Sequence, residues 1–237
     1  MKAICLFVTK VPNVLSVCLL AIWIGFPNIA RAQELQAGAY FTTIVPRGQF
    51  SENVTNNGYG GGGHFLIRLG PSPFLVGGDL GGVIYGSESH REPISSTIPN
   101  LQVRVRTTNN ILLTHFLLRV QHRKGPVRPY ADGLIGLKYL YTKTTISDLS
   151  DDEAIASNTD LSDATLSYGF GGGLQIPLTK QREGWITLDT NVRYLRGSNA
   201  NYLKKGSIRQ ENGQAIFDVL SSRTDVISVQ IGVTFRF

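Results

Sequence analysis

The residue types that could do chemistry fall in a few stretches. Glu88-Ser89-His90-Arg91-Glu92 places a hydroxyl, an imidazole and two carboxylates close together, the groups a hydrolytic triad uses. Neighbours this close in one loop seldom reach triad geometry, in which the nucleophile, base and acid converge from separate segments. Asp151, Asp152 and Glu153 form a carboxylate run of the kind that calcium or acid-protease chemistry could use. No ligand spacing follows it, and the run reads as a solvated loop. GYGGGGHF, Gly58 to Phe65, resembles a phosphate loop, but it lacks the Lys-Ser/Thr ending and no helical pattern follows. Glycines on a strand instead make room for bulky neighbours and let the strand bend. No catalytic, metal or cofactor site is assigned to any of these residues.

The other candidates are scattered charges, and only the elements that carry them give them a common address. After Ala32 no stretch has a helical period. Segments of strict two-residue alternation recur instead, near 35–46, 57–69, 73–86, 109–122, 127–145, 164–178, 185–198 and 223–237. Several exceed the ~5–6 residues of ordinary strands and suit the ~9–11 that cross a bilayer at a tilt. Three connections are short: Gly70-Pro71-Ser72, His122 to Pro126, and Thr179 to Gly184. The others, 47–56, 87–108, 146–163 and 199–222, are polar and mostly longer. Short turns at one end, long loops at the other and an even strand count make the pattern of an outer-membrane barrel. In the loop 199–222, Asn212-Gly213 favours a type I′ turn and predicts an extended hairpin.

The two faces of these strands differ in kind. Leu166, Tyr168, Phe170, Leu174 and Ile176 share one face of the sixth segment; Ser167, Gly169, Gly171, Gly173 and Gln175 share the other. A soluble ligand-carrying barrel would need a charged exterior, whereas glycine with single charges of both signs suits a narrow polar interior. ILLTHFLLRV, Ile111 to Val120, is apolar on both faces. Turning Leu112, Phe116, Leu118 and Val120 outward puts His115 and Arg119 inside. The inward set is then His64, Arg68, Asp79, His115, Arg119, Asp132, Lys138, Asp189, Arg193 and Arg236. Eight strands leave an interior that side chains fill, so these charges should pair into a structural plug rather than line an ion path. Arg119 and Asp132 flank one short turn and are the pair expected first. A charge should be costly on the outer face, as at Leu188, and tolerated inside, as at Asn191. Tyr139, Tyr141, Tyr168 and Tyr194 fall toward the long-loop end, and Phe74, Phe235 and Phe237 toward the short-turn end. That makes two aromatic girdles at lipid–water boundaries.

The N-terminus belongs to no strand. Lys2 and Lys10 precede the apolar run Val14 to Phe26, which is too short to span a bilayer comfortably. Ala30-Arg31-Ala32 supplies the small residues of a cleavage site, so residues 1–32 read as a secretory signal and 33–237 as the barrel domain. Both cysteines, Cys5 and Cys18, lie in the leader, which leaves the mature chain without disulfides or cysteine-bound metal. Val17 is too bulky before Cys18 for a lipoprotein site. Lys2, Lys10 and Arg31 supply three of the six net positive charges, and the remaining +3 is too mild for nucleic acid binding.

RPYADGLIGLKYL (Arg128 to Leu140), the glycine-alternating strands and the terminal TFRF together resemble the OmpA-type outer-membrane β-barrel family, over essentially all of 33–237. The resemblance implies an all-β fold, an eight-stranded antiparallel transmembrane barrel with short periplasmic turns and long extracellular loops. It also implies a terminal aromatic signal, Phe235 and Phe237, read by the barrel assembly machinery. The expected protein is a monomer integral to the outer membrane, in contact with its lipid and lipopolysaccharide. It would have no conducting pore and a structural or surface-interaction role carried by its loops, with a surface ligand still to be named. The rival on the same fold is a lipid A-modifying acylhydrolase or acyltransferase, which needs Ser, His and an acid together at the membrane boundary. A soluble ligand-binding barrel is the third reading.

Overall fold

The computed structural model describes residues 34–95, 98–148, 154–181, 184–211 and 214–237. The leader with Ala30 and Ala32, the Asp151 to Glu153 run and the Asn212-Gly213 turn lie outside these residues. The described strands are β1 (Leu35–Pro46), β2 (Gly58–Arg68), β3 (Phe74–Ser95), β4 (Ile98–Gln121), β5 (Arg128–Ser147), β6 (Ala154–Gln181), β7 (Gly184–Gly197), β8 (Asn199–Tyr202), β9 (Ile208–Glu211), β10 (Gln214–Phe217), β11 (Leu220–Arg223) and β12 (Val226–Arg236), with one short helix, α1 (Gln49–Asn53).

Eight of the strands close into a ring in the order β1-β12-β7-β6-β5-β4-β3-β2. The seam is antiparallel, running from Gln36↔Arg236 to Pro46↔Val226. Closure leaves no sheet edge within the ring, which is what a sheet needs where no water can satisfy its backbone. The alternation read from the sequence sets the faces: Ile135, Leu137, Phe170, Val192 and Ile231 are exposed, while Asp132, Lys138, Gln175, Asn191 and Gln230 are buried. In Ile111 to Val120 the outward set is Leu112, Phe116, Leu118 and Val120, with His115 and Arg119 buried.

Three connections differ from the sequence reading. The segments 87–108 and 146–163 are strand for most of their length, with β3–β4 paired as far as Ser95↔Ile98 and β5–β6 as far as Ser147↔Ala154. Above the membrane both faces are wet, so the apolar–polar alternation fades while the pairing continues. Threonine carries it, as in the Thr107–Thr144 hydroxyl contact of 3.1 Å. The segment 47–56, read as a loop, contains α1.

The segment 199–222 does not simply lengthen the last two strands. It holds the expected hairpin, with β9 and β10 paired from Ile208↔Phe217 to Glu211↔Gln214, and a separate ladder, β8–β11. The β7–β12 ladder stops at Leu195↔Val226, where the Asp225 carboxylate turns to accept the Gly197 N–H at 3.0 Å. Beyond that point Ala200, Tyr202 and Leu203 are buried.

These buried residues meet α1. Phe50 is fully buried, with its ring 5.0 Å from Tyr202 and 5.8 Å from Tyr85. Tyr85 is the extra residue of a bulge between Ile84 and Gly86, and its hydroxyl donates to the Leu203 carbonyl at 3.0 Å. A bulge re-aims one side chain without ending the ladder. Here it joins the β3 wall to the β8 region and α1 in an apolar cap over the long-loop mouth.

Candidate functional site

The barrel interior is the natural place to look for a site, and its contents fall into layers. At the short-turn mouth Glu34, just before β1, accepts from Arg68 (Nε to Oε2 2.9 Å) and from Arg236 (Nε to Oε1 2.7 Å). Gln36 Nε2 donates to the same carboxylate at 2.7 Å. Burial opposes the charged form of Glu34, yet the hydrogen bonds from Arg68, Gln36 and Arg236 outweigh it and hold the carboxyl below its ordinary range. A relay of side-chain amides climbs from there. Gln36 donates to Gln121 (2.9 Å), Gln121 to Gln175 (2.6 Å), and Gln175 to Asp189 (2.8 Å).

The middle layer is ionic. Arg119 grips Asp132 with two hydrogen bonds, 2.7 and 3.0 Å, and stacks over the Tyr130 ring at 3.6 Å. Arg119 Nη1 lies 3.5 Å from Asp189. Arg193 spans two acids, Asp79 at 2.9 Å and Asp132 at 3.4 Å. Tyr40 donates to Asp79 at 2.9 Å and Tyr130 donates to Asp189. His64 meets Thr234, whose hydroxyl donates to Asp189. Glycines make the space: a Cβ on Gly38 would lie 2.6 Å from the His64 ring, and one on Gly171 would lie 2.6 Å from Arg193 Cγ. The glycine run after Gly58 works the same way, since a Cβ on Gly62 would come 2.6 Å from the Tyr40 hydroxyl.

Above this layer the pairing changes. Lys138 meets carbonyls in place of a carboxylate, donating to Thr224 O at 2.6 Å and Leu195 O at 3.2 Å. His115 Nε2 lies 2.9 Å from Ser167 Oγ. The expectation that opposite charges pair inside thus describes the Arg and Asp residues but not Lys138 or His115. Buried apolar side chains, Leu113, Leu140 and Leu195 among them, fill this level up to the cap.

All ten charged residues assigned inward are buried in this interior, between 0% and 8% exposed. The sequence reading missed Glu34, the glutamine relay and Tyr130. Inward parity was the available signal for them, because Gln36, Gln121, Tyr130 and Gln175 sit on the same faces as the charges. Asn191 is tied into the same layer: its amide donates to Tyr130 (2.9 Å) and Asp132 (3.0 Å), so any substitution there loses two hydrogen bonds.

The centre of the ionic layer is tightly filled. The void among Tyr40, His64, Arg119, Tyr130, Asp189 and Arg193 is about 10 Å³, the space of about one water. His115 and Ser167 form two-thirds of a nucleophilic triad. Ser167 is fully buried, and His115 Nδ1 has no hydrogen-bond partner among the described residues, so no acid orients the ring. Ser89 and His90 are consecutive on β3 and face opposite sides of the sheet. Glu88 instead accepts from the Gly206 N–H at 3.0 Å.

The exterior sets the surroundings. Leu80, Phe116, Ile135, Leu137, Phe170, Val192 and Ile231 are each about half exposed or more, on a sheet that closes on itself. An apolar band of this extent needs lipid rather than water. Phe74, Phe235 and Phe237 are exposed at one end of it and Tyr139 and Tyr168 at the other, with Tyr141 and Tyr194 half-buried beside them. The protein is an integral transmembrane β-barrel of the outer-membrane kind, with short periplasmic turns and long extracellular hairpins.

No protein-family model matches the chain, and no curated protein matches it. Solved structures similar to it are barrels. Neisserial surface protein A is 12% identical with a TM-score of 0.39, covering 86% of this chain and 95% of that one. Ail of Yersinia pestis is 14% identical with a TM-score of 0.37, covering 86% and 97%. A major outer membrane protein from Thermus thermophilus is 12% identical with a TM-score of 0.40, covering 87% and 100%.

Proposed function

We propose that this chain is an OmpA-type barrel that conducts nothing and works through its surface strands. The barrel anchors a β-sheet platform above the outer membrane for contact with other molecules. The observation that carries this reading is the unequal height of the wall. The β1–β2 ladder ends at Ile44↔Gly58, whereas the β3–β4 ladder continues to Ser95↔Ile98. Above the rim β3, β4, β5 and β6 project as an open sheet. Pairing of β2 with β3 ends at Tyr59↔Ile84, and pairing of β6 with β7 begins at Ser167↔Gly197. The upper parts of β3 and β6 therefore have a ring neighbour on one side only. Such edges carry backbone groups that can pair with an extended segment of another chain. The packed lumen supports the same reading, since it leaves the loops as the accessible part.

The test compares cells displaying the intact protein with cells displaying a form whose β3–β4 and β5–β6 hairpins are trimmed to tight turns at the rim. Both forms should insert as heat-modifiable barrels, and only the intact one should promote adherence to protein-coated surfaces. Equal adherence, together with a steady porin-like conductance of the intact protein in planar bilayers, would overturn the proposal.

A further inference from the structure

Arg196 is an exposed cation on the lipid-facing side of the wall. It lies between buried Leu195 and Gly197 on β7, and it stands beside Tyr168 across the β6–β7 ladder, at the level of the extracellular girdle. No ion pair or hydrogen bond of its guanidinium occurs among the described residues. Arg223, paired with Asn199 on the β8–β11 ladder, lines the same open groove, together with Tyr168, Gly197 and Ser198. The groove measures about 690 Å³, room for a headgroup rather than for a bare ion.

The acids nearby are already engaged. Asp225 is buried; it accepts from Gly197 N–H at 3.0 Å and lies 3.4 Å from Arg223 Nη2, so it offsets part of that one charge. Asp163, on β6, accepts the Ala164 and Asn201 N–H groups, each at 2.8 Å. The groove is left cationic at the depth where lipid phosphates lie. Guanidinium groups present planar pairs of donors that match a phosphate better than a point charge does. Ser198 and Asn199 add neutral donors at the groove wall, and Tyr168 supplies the amphipathic ring that settles at a lipid–water boundary.

We propose that this groove binds the phosphoryl group of an outer-leaflet lipid headgroup, with Arg196 as the principal contact and Arg223 as the second. The inference rests on the outer-membrane reading above, and its test separates the two. Wild type, the R196Q/R223Q double variant and a K143Q control are folded in detergent. Each is offered a phosphorylated glucosamine-based glycolipid, the same lipid with its phosphates removed, or inorganic phosphate alone, and retained ligand is read by native mass spectrometry. Lys143 is an exposed cation on β5 outside the groove. Wild type and the control should retain the phosphorylated lipid, and the double variant should bind it about tenfold more weakly. The dephosphorylated lipid should not be retained, and excess inorganic phosphate should not displace the phosphorylated one. Displacement by inorganic phosphate as effective as by the lipid would make this a free-phosphate site and overturn the lipid assignment. Equal retention by the double variant would overturn the groove itself. Absence of a heat-modifiable band in wild type would instead defeat the outer-membrane reading on which the inference rests.

Discussion

Arg119 and Asp132 face each other across the β4–β5 ladder and share two hydrogen bonds in a region where both side chains are essentially sealed from solvent. A pair buried this deeply offsets its own desolvation only while both partners are present. Removing one partner leaves an uncompensated charge, at a cost of about 3–5 kcal/mol. Asp132→Ala should therefore destabilise the barrel by about that much. Arg119→Met with Asp132→Leu should cost less than the sum of the two single changes. Arg193 and Asn191 also lean on Asp132, which adds to the effect of the Asp132 change. Equilibrium unfolding in lipid vesicles, run as a double-mutant cycle, gives the comparison. Strict additivity would mean that the pair contributes no coupling.

The lipid face makes a different demand. Ile135 lies on the outward face of β5, about half exposed, with Leu137 as its outward neighbour. Ile135→Arg should cost about 2–4 kcal/mol if it sits near the bilayer midplane, falling toward 0–1 nearer the interfaces. Ser157→Arg lies on the same sheet above the rim, where Ser157 pairs with Thr145 and is exposed, and should cost almost nothing. Equal destabilisation by the two would place the membrane band elsewhere along the strands.

How far the sequence showed this molecule depends on the solvent each residue meets. Where one face met lipid and the other a polar interior, alternation was unambiguous. In Ile111 to Val120, apolar on both sides, it decided nothing; the choice to turn Leu112, Phe116, Leu118 and Val120 outward is what put His115 and Arg119 inside, where both are buried. Where both faces met water, the signal vanished although the strands continued, so Thr107 falls in a segment that reads as loop although it pairs with Thr144 across β4 and β5. The cap was illegible for another reason. Phe50, Tyr85 and Tyr202 come from distant parts of the chain, and their contact depends on a bulge and on β8 leaving the ring, neither of which has a local pattern. The charges were legible one by one, but their partners were not. Nothing in the spacing of Lys138 announced that it would meet two carbonyls. Glu34 stood beside the leader and was passed over.

Glu34 gives the fold a pH dependence of known sign. Its folded-state value is depressed from the ordinary 4.5, chiefly through Arg68, Gln36 and Arg236 acting against burial. A depressed carboxyl contributes stability above its unfolded value and loses it as the pH falls through the folded one. Glu34→Gln should therefore be less stable than wild type at neutral pH. The gap should shrink as the pH drops below about 4.5, where wild type loses the ionised partner of Arg68 and Arg236. Denaturant midpoints across a pH series read this directly. A gap that stays constant into acid would show that the carboxylate charge is not what ties the mouth together.

The chain ends on Phe237, whose main chain and side chain do different things. Its backbone closes the ring: Phe237 N–H donates to Leu35 O at 2.9 Å and Leu35 N–H donates to Phe237 O at 3.2 Å. The residue is 65% exposed on the protein surface, so its ring adds little to packing between side chains of the barrel. Deleting the residue would remove both effects at once, whereas Phe237→Ser keeps the backbone pair and removes only the ring. If the ring serves as an assembly signal, Phe237→Ser should refold in detergent micelles with a wild-type heat shift and an unchanged unfolding midpoint, while its outer-membrane level in cells falls. Phe235, also exposed and two residues earlier on the same face, should show a weaker form of the same split. Normal insertion of the Phe237 variant in cells would remove the signalling role. Failure of both insertion and refolding would instead assign the ring to packing at the seam between β1 and β12.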